Sequence, residues 1–318
     1  IYFNLFKKNK IKVFLSSYIT QPFISSAISA IHDLKGYAFG FTMSYPLHDY
    51  SSHLNIDAFD YFFSNDDINY KKSKNSNLKK LIPIGYIIDY KFSDKKYESK
   101  QLRENLLKTG AKYILGFFDQ GYDDNSIFSL GYLPSRSGYK FLLEKVISNK
   151  NFALVIKPKK PKLLKLKLAE DYDLLIKAKE TGRCIVFDTH HESHVKNFDD
   201  IPSKIAMASD LTIHDTLIAG TAGLESALVN CKSVYFDYYD SSENKFEEKG
   251  LNIVFRDWNV LWAEILKDNE SGDKRLGNWG NIIEKFDTFR DGKTNIRIMK
   301  FIENMIDKHY AGSLDEKR

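Results

Sequence analysis

Only two cysteines, Cys184 and Cys231, occur in 318 residues. Each lies in or beside an apolar, strand-like run and neither has a CxxC partner, so both read as buried thiols in a reducing compartment. Long hydrophobic runs are missing too. The longest, such as Ile114–Phe118 and Ala153–Ile156, fall far short of the roughly 20 residues a bilayer span requires. The opening IYFNLFKKNKIKVFL keeps its lysines among its apolar residues rather than ahead of them and lacks a small-residue cleavage site, so it does not read as a signal peptide. A cytoplasmic protein is expected. Charge of one sign is not dominant either: 47 basic against 42 acidic residues leave a net +5. That excess suits an anionic small molecule or an anionic membrane surface and is too weak to indicate nucleic acid. No repeat of about 20–50 residues and no low-complexity array interrupts the chain. It also lacks a starting Met, and a fragment is expected.

What is present is a regular alternation. A chain of this length, 43% hydrophobic, can bury roughly two domain cores. Strand-like runs rich in Val, Ile, Phe and Tyr recur at Tyr113–Phe118, Phe152–Ile156, Cys184–Phe187, Leu211–Ile213, Ser233–Phe236 and Asn252–Phe255. Segments of helical period separate most of them: Tyr139–Ser148, Leu163–Thr181, Ile201–Ala208, Ala222–Asn230 and Val260–Lys267. Such alternation predicts βαβ units and a parallel, doubly wound sheet in an α/β fold. The earlier part is less regular, with runs at Lys12–Leu15, Tyr37–Phe41, Tyr61–Phe63 and Leu81–Ile84 and a helix at Phe23–His32. Residues 1–88 therefore read as the later part of a second α/β domain. Residues 89–110 read as a linker, because Asp89–Arg103 is polar and charge-dense. Residues 111–285 form the carboxyl-terminal domain, and 286–318 hold an amphipathic helix, Ile296–His309, with Ile298, Phe301, Ile302 and Met305 on one face. This helix is expected to pack back across the domains.

Ligands of parallel sheets collect at the carboxyl ends of the strands, where loops meet helix amino ends. The stretch IHDTLIAGTAGLESAL (Ile213–Leu228) lies at such an edge. Gly220 and Gly223 permit close backbone approach, Thr221 can cap the helix, and the free amides of the first turn, Ala222 among them, suit a phosphate. Glu225, one turn in, can accept hydrogen bonds from ribose hydroxyls. The alternative is plain packing, with the glycines serving helix–sheet contact and Glu225 facing the helix dipole. Three other strand ends carry polar groups on the same edge. Asp119-Gln120-Gly121 follows the first strand of this half. Lys157, Lys159 and Lys160 of KPKKP follow the second, where fixed cations can neutralise a phosphate. The third is followed by DTHHESH, holding His190, His191 and His194. His190 and His194 stand four apart, but His191 rather than an acid follows the first of them, unlike the H-E-x-x-H of a helical zinc site, and no remote cysteine pair completes a set, so substrate or phosphate contacts are favoured over a metal, a surface loop being the alternative. His214 and Asp215 complete the set.

These residues resemble a known family. ILGFFDQGY (Ile114–Tyr122), LVIKPKKP (Leu154–Pro161), the stretch Ala208–Asp237 and FDTFRDGKTNIRI (Phe286–Ile298) are similar to the carboxyl-terminal half of GT-B glycosyltransferases, above all bacterial enzymes of capsule, lipopolysaccharide and other surface-polysaccharide assembly. PIGYIIDY (Pro83–Tyr90) resembles the crossover between their two domains, and the likeness runs from Leu81 to Arg297. It implies two Rossmann-like domains facing across a cleft and a nucleotide-sugar donor held by the second. Neither cofactor nor obligatory metal is implied. Thr221, Ala222 and Gly223 would hold phosphate, Glu225 the ribose, and Lys157 and Lys159 the phosphate or a sugar acid, with His214 beside them. Arg290 and Lys293 are further donor candidates, or else part of a helix-capping loop with Asp291 as the cap. His48, Asp49 and His190 are candidate bases for a saccharide or lipid-linked saccharide acceptor. The basic tract Asn69–Lys80 reads as a solvated loop or as a peripheral contact with the inner membrane surface. A polyol-phosphate transferase of the teichoic-acid type and a nucleotide-sugar 2-epimerase, which share this architecture, are the alternatives, and a truncated binding module is another because the amino-terminal domain is expected to lack its first βαβ units.

Overall fold

Short runs of aromatic and β-branched residues become parallel strands in both halves of the chain, and the helices between them carry the apolar stripes that cover those strands. The computed structural model describes residues 1–17, 22–41, 56–65, 76–120, 131–187, 201–217, 220–238, 250–272 and 275–315. They divide into two compact units, one built from the chain up to residue 91 together with residues from 281 onward, the other from residues 92–280.

In the first unit α1 (Tyr2–Lys8), β1 (Val13–Ser16), α2 (Pro22–Asp33), β2 (Tyr37–Phe41), β3 (Tyr61–Ser64) and β4 (Lys80–Pro83) follow in sequence. The four strands form a parallel sheet in the order β1-β2-β3-β4. Helix α2 buries Ile24, Ala27, Ile28 and Ile31 against Phe59 and Phe62, the spacing of one helical face.

The second unit opens with α3 (Lys96–Leu107), inside the polar stretch read as a linker. Its apolar residues Leu102 and Leu106 pack on the second sheet, a stripe too narrow to stand out among the charges around it. Then come β5 (Tyr113–Phe118), α4 (Leu133–Ser148), β6 (Phe152–Lys157), α5 (Leu164–Leu168), α6 (Tyr172–Glu180), β7 (Cys184–Val186), α7 (Pro202–Ala208), β8 (Leu211–His214), α8 (Thr221–Leu228), β9 (Lys232–Phe236), β10 (Val254–Phe255) and α9 (Trp258–Ser271). The single helix expected over Leu163–Thr181 is two, parted at Ala169, whose φ of 47° is left-handed. All six strands are parallel, in the order β10-β9-β8-β5-β6-β7. Strand β5 starts the sheet, the chain winds outward through β6 and β7, then crosses back to β8 on the other flank. The order therefore reverses between β5 and β8.

Successive residues of β5 serve opposite faces, as the pleat requires. Leu115 and Phe117 join Tyr139, Leu143, Leu168 and Trp262 beneath α4, α5 and α9. Ile114 and Phe118 join Ile205, Leu106 and Ala222 beneath α7, α3 and α8. Each such side chain, fully covered, contributes about 1.5–3 kcal/mol. Both cysteines are free, and burial pushes each thiol up to about 12.

The chain then returns to the first unit through α10 (Thr294–Asp315), whose Ile298, Phe301, Ile302 and Met305 pack on Phe39, Phe63 and Ile84. Asp287, just ahead of α10, accepts from Tyr86 N at 3.1 Å, and Arg297 Nε donates to Ile84 O at 2.7 Å. Gly85 has φ +87°, and a Cβ there would stand 2.6 Å from Asp287 Oδ1. Close approach and backbone hand both require glycine.

Candidate functional site

At the carboxyl end of β5 the chain supplies Asp119, and at the carboxyl end of the neighbouring β8 it supplies His214 and Asp215. These are the strands between which the sheet order reverses, the place where ligands of doubly wound sheets collect. Asp119 is buried and fully engaged. Its Oδ1 accepts from Lys159 N at 2.6 Å, and its Oδ2 accepts from Tyr139 Oη at 2.8 Å and Lys167 Nζ at 2.5 Å. One carboxylate thereby fixes the start of the lysine turn after β6 and ties it to α4 and α5. Asp215, wholly buried, accepts from Gln120 N at 2.7 Å and Ser135 Oγ at 2.5 Å. Two buried carboxyls here face one buried ammonium, Lys167, which is 1% exposed. Burial, with the charge of Asp119 second, pushes the Asp215 carboxyl up to about 7, because a second anion is costly where only one cation answers.

The histidine at the end of β8 is 3% exposed. Burial, then the charge of Lys159, pushes its imidazole down to about 3, so it is neutral. Tyr235, its register partner on β9, donates to Gly220 O at 2.7 Å.

Helix α8 opens at this edge. Gly220, not Thr221, takes the N-cap position, and no side chain caps the helix. Gly223 N and Leu224 N donate to Gly220 O at 3.1 and 3.2 Å, so the amides at the mouth of the helix are those of Thr221 and Ala222. A Cβ on Gly223 would lie 2.7 Å from the Tyr235 ring, which gives this glycine a packing reason independent of any ligand. Glu225 is buried, and its Oε1 accepts from Ser203 N at 2.7 Å. That bond caps the first turn of α7, a contact 22 residues away in sequence that local spacing does not reveal.

Of the other expected residues, Lys157 is half-buried at the end of β6 and Lys159 is exposed, its Nζ donating to Gln120 Oε1 at 3.1 Å. Arg290 and Lys293 are exposed in the first unit, on the turn before α10 that Asp287 and Asp291 organise. His48, Asp49 and His190 lie outside the described residues, as do His191 and His194. Lys167, Tyr139 and Ser135 carried no signal: a lysine in LKLKL reads as surface, and only the tertiary fold buries it. Among the described residues no three His, Cys, Asp or Glu side chains gather as a cation site.

No protein-family model matches the sequence, and no curated protein sequence matches it either. The likeness is in the fold. A putative UDP-N-acetylglucosamine 2-epimerase from Listeria monocytogenes superposes with a TM-score of 0.59 at 13% identity, covering 96% of this chain and 76% of that one. The wall teichoic acid polymerase TagF gives 0.57 at 13% identity, over 94% and 74% of the two chains. Anabaena HepE, solved with UDP and glucose, gives 0.51 at 13%, over 95% and 80%. The fold is of the GT-B type. In this GT-B chain the described polar groups of the β5–β8 edge all belong to the second unit.

Proposed function

We propose that this chain is an enzyme that holds a nucleotide-activated sugar at the carboxyl edge of its second sheet and transfers the sugar to a saccharide or lipid-linked saccharide acceptor, in the assembly of a bacterial surface polysaccharide. The observation that supports it most is the convergence at the β5–β8 reversal of a helix amino end, a lysine turn pinned by Asp119, and a buried polar cluster that also engages its neighbours in the fold. Glycosyl transfer needs a leaving phosphate to be stabilised. The amides of Thr221 and Ala222 and the lysines at 157 and 159 are the groups for that task, with the α8 dipole behind them. Glu225, one turn into α8, is the candidate contact for the ribose. An acceptor hydroxyl must also lose its proton, and the candidate bases remain His48, Asp49 and His190.

A second reading is supported by the neighbours themselves: a teichoic acid polymerase and a 2-epimerase share this fold at similar scores. Polyol-phosphate transfer or epimerisation would draw on the same phosphate pocket. Thermal-shift and calorimetric titration against CMP-, CDP-, UDP- and GDP-linked donors tests the pocket. A rise in melting temperature with a nucleotide sugar is expected, and no rise with any donor would overturn the assignment. Product analysis separates the chemistries: sugar on an added acceptor marks a glycosyltransferase, a C2-inverted nucleotide sugar without acceptor an epimerase, and CMP release from CDP-glycerol a polyol-phosphate transferase.

A further inference from the structure

His214 ends β8 with its ring between two aromatic neighbours in register with it, Phe118 at 6.5 Å and Tyr235 at 5.8 Å between centroids. Its Nδ1 is buried and, among the described residues, has no hydrogen-bond partner. An unpaired buried polar atom is costly, so one that persists calls for a reason. Tyr235 joins this ring to the mouth of α8, since its hydroxyl holds Gly220 O and its ring occupies the space a Cβ on Gly223 would need.

The charged and titratable groups around the imidazole come from each neighbouring element. Lys159 faces it from the turn after β6 and Asp119 from the end of β5. Asp215, next in the chain, is engaged with Ser135 and Gln120. From β9 comes the Tyr235 hydroxyl, and α8 brings no acidic residue in its first turn, only the positive end of its dipole. Burial, Lys159 and the helix end all oppose a positive imidazole. An anion at the mouth of α8 reverses that balance, offsetting the lysine and the helix end and giving Nδ1 an acceptor.

We propose that His214 binds a phosphoryl oxygen of the donor through Nδ1 and takes up one proton from solvent as it does so. This rests on the reading of the α8 mouth as the phosphate pocket. The proton lands on Nδ1, is donated in the hydrogen bond and returns to solvent when the anion leaves, with no covalent bond of the donor altered.

The test is calorimetric titration of the native chain with UDP-glucose, and in parallel with CDP-glycerol, in buffers of different ionisation enthalpy at pH 7. Both probes carry only esterified, fully ionised phosphates, so any proton taken up falls on the protein. Between about half a proton and one proton per ligand is expected, and affinity should weaken from pH 6 to pH 8 by up to about tenfold per unit. In His214→Asn the uptake should vanish and the affinity lose its pH dependence. Binding by the native chain without proton uptake, or uptake that persists in His214→Asn, overturns the role of His214 and leaves the pocket standing. Failure of both probes to bind the native chain removes the pocket reading and this inference with it. Should His214→Asn not fold, His214→Gln takes its place, with the same two outcomes.

Discussion

Asp60 and Asp119 are both buried carboxylates at the end of a parallel strand, one in each unit, and they do different work. Asp60 precedes β3, at the amino edge of the first sheet. Its oxygens accept from Ala38 N at 2.8 Å and Lys79 Nζ at 3.0 Å and meet His32 Nε2 at 2.8 Å. Those partners close α2 onto β2 and β4, and Lys79 is 52% exposed. Asp119 follows β5, at the carboxyl edge of the second sheet, and its ammonium partner is buried. Beside it stand a carboxyl that burial pushes up to about 7 and an imidazole whose Nδ1 has no hydrogen-bond partner among the described residues. At the amino edge the carboxylate is answered by an exposed lysine and a half-buried histidine; at the carboxyl edge the answering ammonium is itself buried, and a second carboxyl and a neutral imidazole share the same interior. Under the proposed function, strand direction rather than burial separates the two: Asp60 stands at the amino edge and Asp119 at the carboxyl edge, where ligands of parallel sheets collect.

Removing the cation from each carboxylate tests that contrast most severely. Lys167→Met strands Asp119 in the interior and is expected to cost about 3–5 kcal/mol in denaturant unfolding. Lys79→Met, at the exposed partner of Asp60, should cost under about 1 kcal/mol. Equal losses would erase the difference between the two edges. Adding Asp119→Asn to Lys167→Met should recover part of the loss, since the stranded charge is then gone.

How much of this was legible in the sequence follows from how local each cause is. Strand runs such as YILGFF and SVYF announce themselves within a few residues, and the alternation with helices gave the parallel sheet. The glycine turn was legible as a helix start, though with Thr221 as the cap, because nothing local shows that Gly220 takes that position. Lys167, Tyr139 and Ser135 were not legible: they reach Asp119 and Asp215 only after α4 and α5 pack on the sheet. The same holds for Glu225, whose spacing suggested a ribose contact while its bond to Ser203 depends on α7 lying alongside α8.

That double position of Glu225 gives the next largest effect. Glu225→Ala removes the cap of α7, worth about 0.5–2 kcal/mol of stability, and is expected to weaken nucleotide binding by a further 1–3 kcal/mol or about that range. Glu225→Gln keeps an acceptor for Ser203 N. A Gln variant with native melting temperature and weakened nucleotide affinity by calorimetry supports the ribose contact; full affinity in both variants would assign Glu225 to the fold alone.

Asp215 sharpens the comparison through pH. Its carboxyl is raised from 3.8 to about 7, so between those values the folded chain holds a proton that the unfolded chain has lost. Stability from this group is therefore present at low pH and falls as pH climbs through that window. Asp215→Asn mimics the protonated acid and still offers Gln120 N a carbonyl. Relative to the native chain the variant should gain on the order of 1–3 kcal/mol between pH 4 and pH 8. A constant difference across that range would mean that Asp215 does not carry the proton.

The smallest expected effect is none at all, and it bears on what the carboxyl edge is for. A diphosphate brings negative charge into a site that already holds Asp119, so some cation must answer it. If the answer is Lys157, Lys159 and the amino end of α8, all fixed by the fold and pinned through the Lys159 N–Asp119 bond of 2.6 Å, then chelation with EDTA leaves donor affinity unchanged in calorimetry. The lysines should instead make binding sensitive to salt, since exposed charges are screened within about 8–10 Å at 0.1–0.15 M ionic strength. Affinity lost to EDTA and restored by magnesium or manganese would show that a cation brought in with the donor, rather than the lysine turn, balances the phosphates.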